Sequence, residues 1–437
     1  MEINTSNYWM PFTANRQYKK KPRLVISAKG MYYTSIEKKP ILDGTAGLWC
    51  VNAGHSHPKI KKELINQLSE LDFAPPFQMG HPKVFEAANN LSKLAPIELD
   101  NIFFCSSGSE AVDTSLKIAL AYQKIVGNSK RKKLIGRDRG YHGVNFGGLA
   151  VGGIPQNRQL FKDKINDIDH IRHPLDIKRN SFSQGMPIFG NEFADEFESV
   201  LLKNHDPETI AALIIEPVQG STGVIIPPKG YLQKIRSICD KYGILLIFDE
   251  VITGFGRLGT PFAANFFGVI PDIICCAKAL TNAAVPMGAV ILNKKIYSSF
   301  MELQDENIIE FFHGYTYSGH PLACAAAISA MKVYEEEKLF ERTKQISPIF
   351  EKYAHKLRDF PYVIDIRNLG LICGIELKPI KGHPTARAYK VFEKCFWEKN
   401  ILIRTTGDII ALSPPLIINE EQISYVFKSI GEVLKEI

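Results

Sequence analysis

Ile244-Leu-Leu-Ile-Phe-Asp249 and Ile273-Ile-Cys-Cys-Ala-Lys278-Ala-Leu280 are two apolar runs, and each carries a single charged side chain. Apolar runs without strict alternation mark strands covered on both faces, as in a parallel sheet. Similar runs recur at Asn101–Cys105, Lys133–Gly136, Ala211–Ile215 and Ala289–Leu292, with helical stretches between them. That order predicts an α/β fold with a mostly parallel central sheet. Burying a lone carboxylate or ammonium in such a sheet is costly unless it finds a partner. Asp249 and Lys278 are therefore the residues to explain.

A buried amine can bond to an aldehyde cofactor, and a buried carboxylate can hold a proton on that cofactor's ring nitrogen. Pyridoxal phosphate needs this pair, because its protonated ring is the better electron sink. A phosphate site is also legible. Ser106-Ser-Gly-Ser-Glu-Ala111 follows a strand-like run and opens a helix with Val112, Leu116 and Ala119 on one face. Ser107 and Glu110 have capping-box spacing, and free N–H groups at a helix start attract an anion. A capped helix alone requires no ligand; the aspartate and lysine downstream favour phosphate binding at this helix start.

The chain of 437 residues has a formal net charge of +7, modest for this length. Its densest basic run, Lys19-Lys-Lys-Pro-Arg23, has no stripe of interleaved aromatics beyond it, so no nucleic-acid partner is expected. The eight cysteines include no Cys-x-x-Cys and sit mostly in apolar surroundings. They read as reduced thiols of a cytoplasmic protein. Met1-Glu-Ile-Asn-Thr5 shows no secretory pattern. The window Ile273–Leu292 has the length of a membrane span but carries Lys278 and is broken by Asn282, Pro286 and Gly288. A lysine at mid-bilayer costs roughly 2.5–3.5 kcal/mol even on the lenient insertion scale, so two buried strands around a site loop are expected and no membrane contact.

No repeat or low-complexity tract interrupts the chain. Residues 60–325 are expected to form the large domain. Residues 1–59 and 326–437 are expected to supply the two parts of a smaller α+β domain built from both chain ends. The Ser-, Pro- and Gly-rich stretch Asn180–Glu192 reads as a surface loop.

Two rival motifs fail on context. Gly254-Phe-Gly-Arg-Leu-Gly259 matches a dinucleotide pattern, but Thr260-Pro261 follows instead of a helix. His55-Ser-His57 has zinc-ligand spacing, but it runs into Pro58 and no clear set of further ligands follows. No metal is expected, and a hydrogen-bonded turn is the better reading of the histidines.

Phe248-Asp-Glu-Val-Ile-Thr-Gly-Phe-Gly-Arg257, followed by Ala277-Lys278, closely resembles the signature of class III pyridoxal-phosphate-dependent aminotransferases. The resemblance extends to Asp43-Gly-Thr-Ala-Gly-Leu-Trp49, Gly54-His-Ser-His-Pro58, Ser107-Gly-Ser-Glu110, Gly140-Tyr-His-Gly143, Glu216-Pro-Val-Gln-Gly220, Gly314–Pro321 and Arg404-Thr-Thr-Gly-Asp408. It implies the pyridoxal-phosphate-dependent transferase fold type I (aspartate-aminotransferase-like). Within the class, Trp49, Thr316 and Ile403–Leu416 look most like the ω-amino acid:pyruvate (β-alanine:pyruvate) aminotransferases. Ile252 stands where ornithine- and GABA-type relatives often carry Gln, which fits that group.

By this resemblance Lys278 bonds the cofactor and afterwards shuttles the proton, and Asp249 pairs with the ring nitrogen. Val251 packs under the ring, Tyr141 stacks on its other face, and Glu216 helps organise the site. Ser107, Gly108 and Ser109 hold the phosphate. Thr316 reaches the cofactor of the neighbouring subunit, so a homodimer with shared sites is implied, and pairing of dimers into a tetramer stays open. Arg404 grips the substrate carboxylate in bidentate fashion, and Trp49 walls the pocket. The implied reaction moves an amine from an ω-amino acid to pyruvate, giving a semialdehyde and alanine. Taurine, hypotaurine or a polyamine as donor, or an aminomutase of the same class, stays open at this point. So does a metal hydrolase on His55 and His57, which stoichiometric zinc without a chromophore would reveal.

Overall fold

The computed structural model describes residues 4–161, 167–303 and 305–437. Residues 1–3, where the expected absence of a leader begins, lie outside the described residues. The six apolar runs all form strands, at Leu99–Cys105, Lys133–Asp138, Ile210–Ile215, Leu245–Asp249, Ile273–Ala277 and Gly288–Asn293. With Gly152–Gly153 and Ile168–Ile171 they make an eight-stranded sheet. Only Gly288–Asn293 runs against its neighbours, pairing antiparallel with both Ile273–Ala277 and Leu99–Cys105. Beyond Ile273–Ala277 come Leu245–Asp249 and then Ile210–Ile215, each parallel to the strand before it. Every residue of Ile210–Ile215, Leu245–Asp249 and Ile273–Ala277 is buried, because helices cover both faces.

The suspected membrane window is thus an antiparallel pair with a loop between, and among the described residues no helix is long and apolar enough to cross a membrane. Two smaller sheets flank the large one. Val25–Lys29, Tyr32–Ser35 and Pro40–Asp43 are joined in parallel by Ile401–Leu402 from the other end of the chain. Val363–Leu369, Ile372–Leu377, Ile409–Leu412 and Arg404–Thr406 form the third. The helix Pro321–Glu336 runs unbroken across the boundary expected at 325/326. Its apolar face, including Ala323, Ala327 and Ala330, belongs to the same core as the large sheet.

The side of the sheet that matters is where Leu245–Asp249 and Ile273–Ala277 end in parallel, with Cys275 opposite Asp249. Parallel sheets present their ligands at the carboxyl ends of strands. Both charged residues singled out in the sequence lie at that edge.

Candidate active site

The helix Gly108–Ile125 begins directly after strand Leu99–Cys105. Its Ser107 cap accepts the Glu110 amide at 3.2 Å. Glu110 Oε2 accepts the Ser106 amide at 2.7 Å, so the reciprocal arm of the expected capping box lands one residue earlier than the cap itself. Ala111 N–H is used by the Ser107 carbonyl. The first N–H groups of a helix have no partner within it, and among the described residues those of Gly108 and Ser109 have no protein acceptor.

Backbones approach closely around these amides. A Cβ on Gly108 would sit 3.0 Å from Val251 Cγ2, one on Gly288 only 2.3 Å from the Ser107 carbonyl oxygen, and one on Gly143 only 2.4 Å from Ser109 Oγ. Small residues are required there by contact, and they leave a cradle open to the cavity.

That cavity holds about 380 Å³ and is lined by Ser106, Ser107, Gly108, Ser109, Tyr141, His142, Glu216, Asp249, Val251 and Lys278. The apolar loop between the antiparallel strands, with Thr281, Ala283 and Val285–Met287, closes its rim together with Cys50. Eight of the residues singled out in the sequence for the cofactor thus share one enclosure. The segment beyond Asp249 is a series of turns, and Val251 lines the cavity, its amide folding back to Asp249 Oδ1 at 3.1 Å.

Lys278 sits at the carboxyl end of its strand with φ +51°, left-handed backbone that costs a non-glycine residue and clusters at functional sites. Burial pushes its ammonium down to about 8, against the opposing pull of Cys50 and Asp249. Asp249 is buried, and its Oδ2 lies 2.8 Å from His142 Nδ1. His142 is itself buried, and its Nε2 has no partner. Sequence reasoning quoted His142 within Gly140–Gly143 and gave it no role; it is the closest side-chain partner of the key carboxylate.

Glu216 Oε1 accepts the Tyr141 amide at 3.0 Å and Oε2 the Gly220 amide at 3.0 Å. It pins the loop that brings Tyr141 and His142 to the cavity. Burial raises its carboxyl to about 7, His142 offsetting part of this. A carboxyl raised from about 4.5 to about 7 on folding stabilises fully below pH 4.5 and loses that contribution as pH rises through 7. Glu216→Gln lacks this titration, so thermal melts of the parent should fall relative to the variant across that window. A constant difference between the two would contradict this reading of Glu216.

Three expected residues are not in the cavity lining. Trp49 is buried beside it, with φ +63° and its indole N–H unpartnered. Arg404 stands close enough to Lys278 to help depress its ammonium, and close enough to Tyr141 to be itself affected. Its Nε is buried without an acceptor, and burial lowers the guanidinium. Thr316 is exposed. Its loop is tied to the cradle helix, with His313 Nε2 and Tyr315 Oη 2.9 and 3.2 Å from Thr114 Oγ1.

The rival motifs resolve into scaffold. His55 and His57 separate, to Asp43 at 2.7 Å and Glu337 at 3.0 Å, and no group of three or more His, Cys, Asp or Glu among the described residues could hold a metal ion. Gly254–Gly259 is a run of turns that buries Arg257 against Asn52 and the carbonyls of Leu371 and Pro414.

Comparison with known proteins places the chain in a family. The profile of the family Aminotransferase class-III matches residues 13–434. An omega-aminotransferase of Caulobacter vibrioides is 54% identical over 430 residues, covering 98% of this chain and 97% of that one. A beta-alanine–pyruvate aminotransferase of Pseudomonas aeruginosa is 44% identical over 438 residues, covering 100% and 97%. The omega transaminase of Pseudomonas jessenii, solved in complex with PMP, superposes with a TM-score of 0.91 at 31% identity, covering 98% of this chain and 96% of that one. The architecture is therefore the fold type I transferase architecture, and the chain belongs to the class III aminotransferases.

Proposed function

We propose that this protein is a pyridoxal-phosphate-dependent aminotransferase that moves the amino group of an ω-amino acid such as β-alanine to pyruvate. The observation that carries the reading is the convergence, around one cavity, of an amine at Lys278, a buried carboxylate at Asp249 and two acceptor-free helix amides at Gly108 and Ser109. The groups match the cofactor's three handles: aldehyde, ring nitrogen and phosphate. Val251 and Tyr141 would meet its two faces. Thr316, exposed on a loop fixed to the cradle helix, would serve the site of a second copy. A homodimer is then the smallest complete unit, and the cytoplasm its expected compartment. When bound, the cofactor supplies an electron sink that lets an amine and a carbonyl be exchanged.

The chain's own part is proton transfer and placement. Lys278 Nζ takes and returns the proton, a task that suits an amine whose acidity lies near neutral pH. Asp249 holds a negative charge at the ring-nitrogen end, oriented by His142 Nδ1 and the Val251 amide. Glu216 keeps the Tyr141–His142 loop in register. Arg404, half-buried with an unpaired Nε near Lys278 and Tyr141, offers a planar fork to a carboxylate.

Arg404→Ala should raise KM for both β-alanine and pyruvate by about 10–100-fold, the loss of one charge-assisted pair, with a smaller change in kcat. Equal KM values in parent and variant would remove Arg404 from substrate binding. The functional reading itself is tested with β-alanine supplied without any keto acid. The cofactor absorbance should bleach after one turnover and return on adding pyruvate, with alanine appearing in equal amount. No spectral change with β-alanine, under conditions where another amine bleaches it, would overturn the donor assignment.

A further inference from the structure

Asp43 and His55 belong to two motifs of the sequence, yet neither lines the cavity. The structure joins them. Asp43 has no exposed surface. Its Oδ1 accepts the Thr45 amide at 2.9 Å and the Thr45 hydroxyl at 3.0 Å. Its Oδ2 accepts the Gly47 amide at 2.7 Å and lies 2.7 Å from His55 Nε2. His55 is fixed in turn: its backbone exchanges two hydrogen bonds with Gly30, and its ring packs on Tyr33 with centroids 4.2 Å apart.

What this pair grips is the loop 45–50. Ala46, Gly47 and Trp49 all have positive φ, at 46°, 67° and 63°. Left-handed backbone at alanine and tryptophan persists only where surrounding contacts over-determine it. The loop ends in Trp49 and in Cys50, whose side chain forms part of the cavity rim. The same root reaches the other substrate group. Gly44 N–H donates to the Leu402 carbonyl, and Ser413 N–H donates to the Gly44 carbonyl, each at 2.9 Å. Leu402 lies two residues before Arg404.

We infer that Asp43 and His55 are positioning residues that set the substrate-side wall, holding the Trp49–Cys50 loop and the Arg404 strand in one register. The inference rests on reading Trp49 and Arg404 as substrate groups. A buried hydrogen-bonded pair with a purely structural role would lower melting temperature alone. Positioning makes a further demand, and the molecule carries a reporter for it. Seven of the eight cysteines are buried, whereas Cys50 is partly accessible and is held within the loop by its own carbonyl contact, Sγ to Ala46 O at 3.4 Å.

The test uses cofactor-loaded His55→Ala and His55→Gln, with β-alanine and pyruvate as substrates. In His55→Ala both KM values should rise at least about tenfold while kcat changes by less than about threefold, the split expected when binding geometry and not chemistry is lost. Cofactor absorbance should be unchanged, iodoacetamide should alkylate Cys50 about tenfold faster by peptide mapping, and His55→Gln, which keeps a donor, should recover most of both effects. Parent-like KM values and Cys50 labelling in His55→Ala overturn the inference, and so does a lowered melting temperature as the sole change. If that variant does not accumulate, Asp43→Asn is read by the same two quantities with the same outcomes. A parent protein that does not transaminate β-alanine counts against the donor assignment instead, and Cys50 labelling still decides the loop.

Discussion

Lys278→Ala should fold, retain its cavity and lose at least about 10⁴-fold in transamination rate, because on the proposed function it removes the covalent anchor and the proton-transfer group together. The lysine is not needed for stability. Burial already holds its ammonium down to about 8, which is an unfavourable contribution of the charged form below that pH. Its backbone is left-handed at φ +51°, so alanine inherits the same strain and gains none. Circular dichroism and melting temperature should therefore stay near the parent's, while single-turnover bleaching by β-alanine becomes too slow to follow by mixing. A variant that bleaches at the parent's rate would show that another group moves the proton.

Asp249→Asn should lower kcat/KM by about 10²–10³-fold, comparable to removing one preorganised electrostatic contact from an active site. The side chain is buried, and each oxygen already meets one protein donor, His142 Nδ1 on one side and the Val251 amide on the other. An amide of the same shape cannot carry the charge that stabilises a protonated ring nitrogen. Its NH₂ must also face either the Val251 amide, losing that bond, or His142, whose Nδ1 must then accept instead of donate. The expected signature is a shift in the cofactor's absorbance together with the slower half-reaction. Unchanged absorbance and a parent-like rate would detach Asp249 from the cofactor.

The sheet was legible because its strands are uninterrupted apolar runs of the right length, from Ile210–Ile215 to Ile273–Ala277. Asp249 and Lys278 stood out for the same reason, as charged side chains in apolar company. Less visible was anything whose meaning depends on a partner far away in sequence. His142 reads as an ordinary buried histidine until the fold brings it to Asp249, 107 residues on. Thr281, Ala283 and Val285–Met287 have no chemical signature; only the antiparallel return of Gly288–Asn293 makes them a cavity rim. The His55-Ser-His57 spacing suggested a zinc-ligand pair or a turn, and gave no sign of Asp43, the partner of His55, twelve residues earlier in another motif. The helix Pro321–Glu336 hid the end of the large sheet's layer because its alanine-rich face gives no break near 325.

The central claim is that Lys278 bears pyridoxal phosphate. Protein saturated with the cofactor, reduced with borohydride and digested, should yield a single pyridoxyl-modified peptide containing Ile273–Leu280, with the tag on Lys278 and the yellow absorbance lost. A colourless protein, or a tag distributed over surface lysines with Lys278 unmodified, would contradict the account.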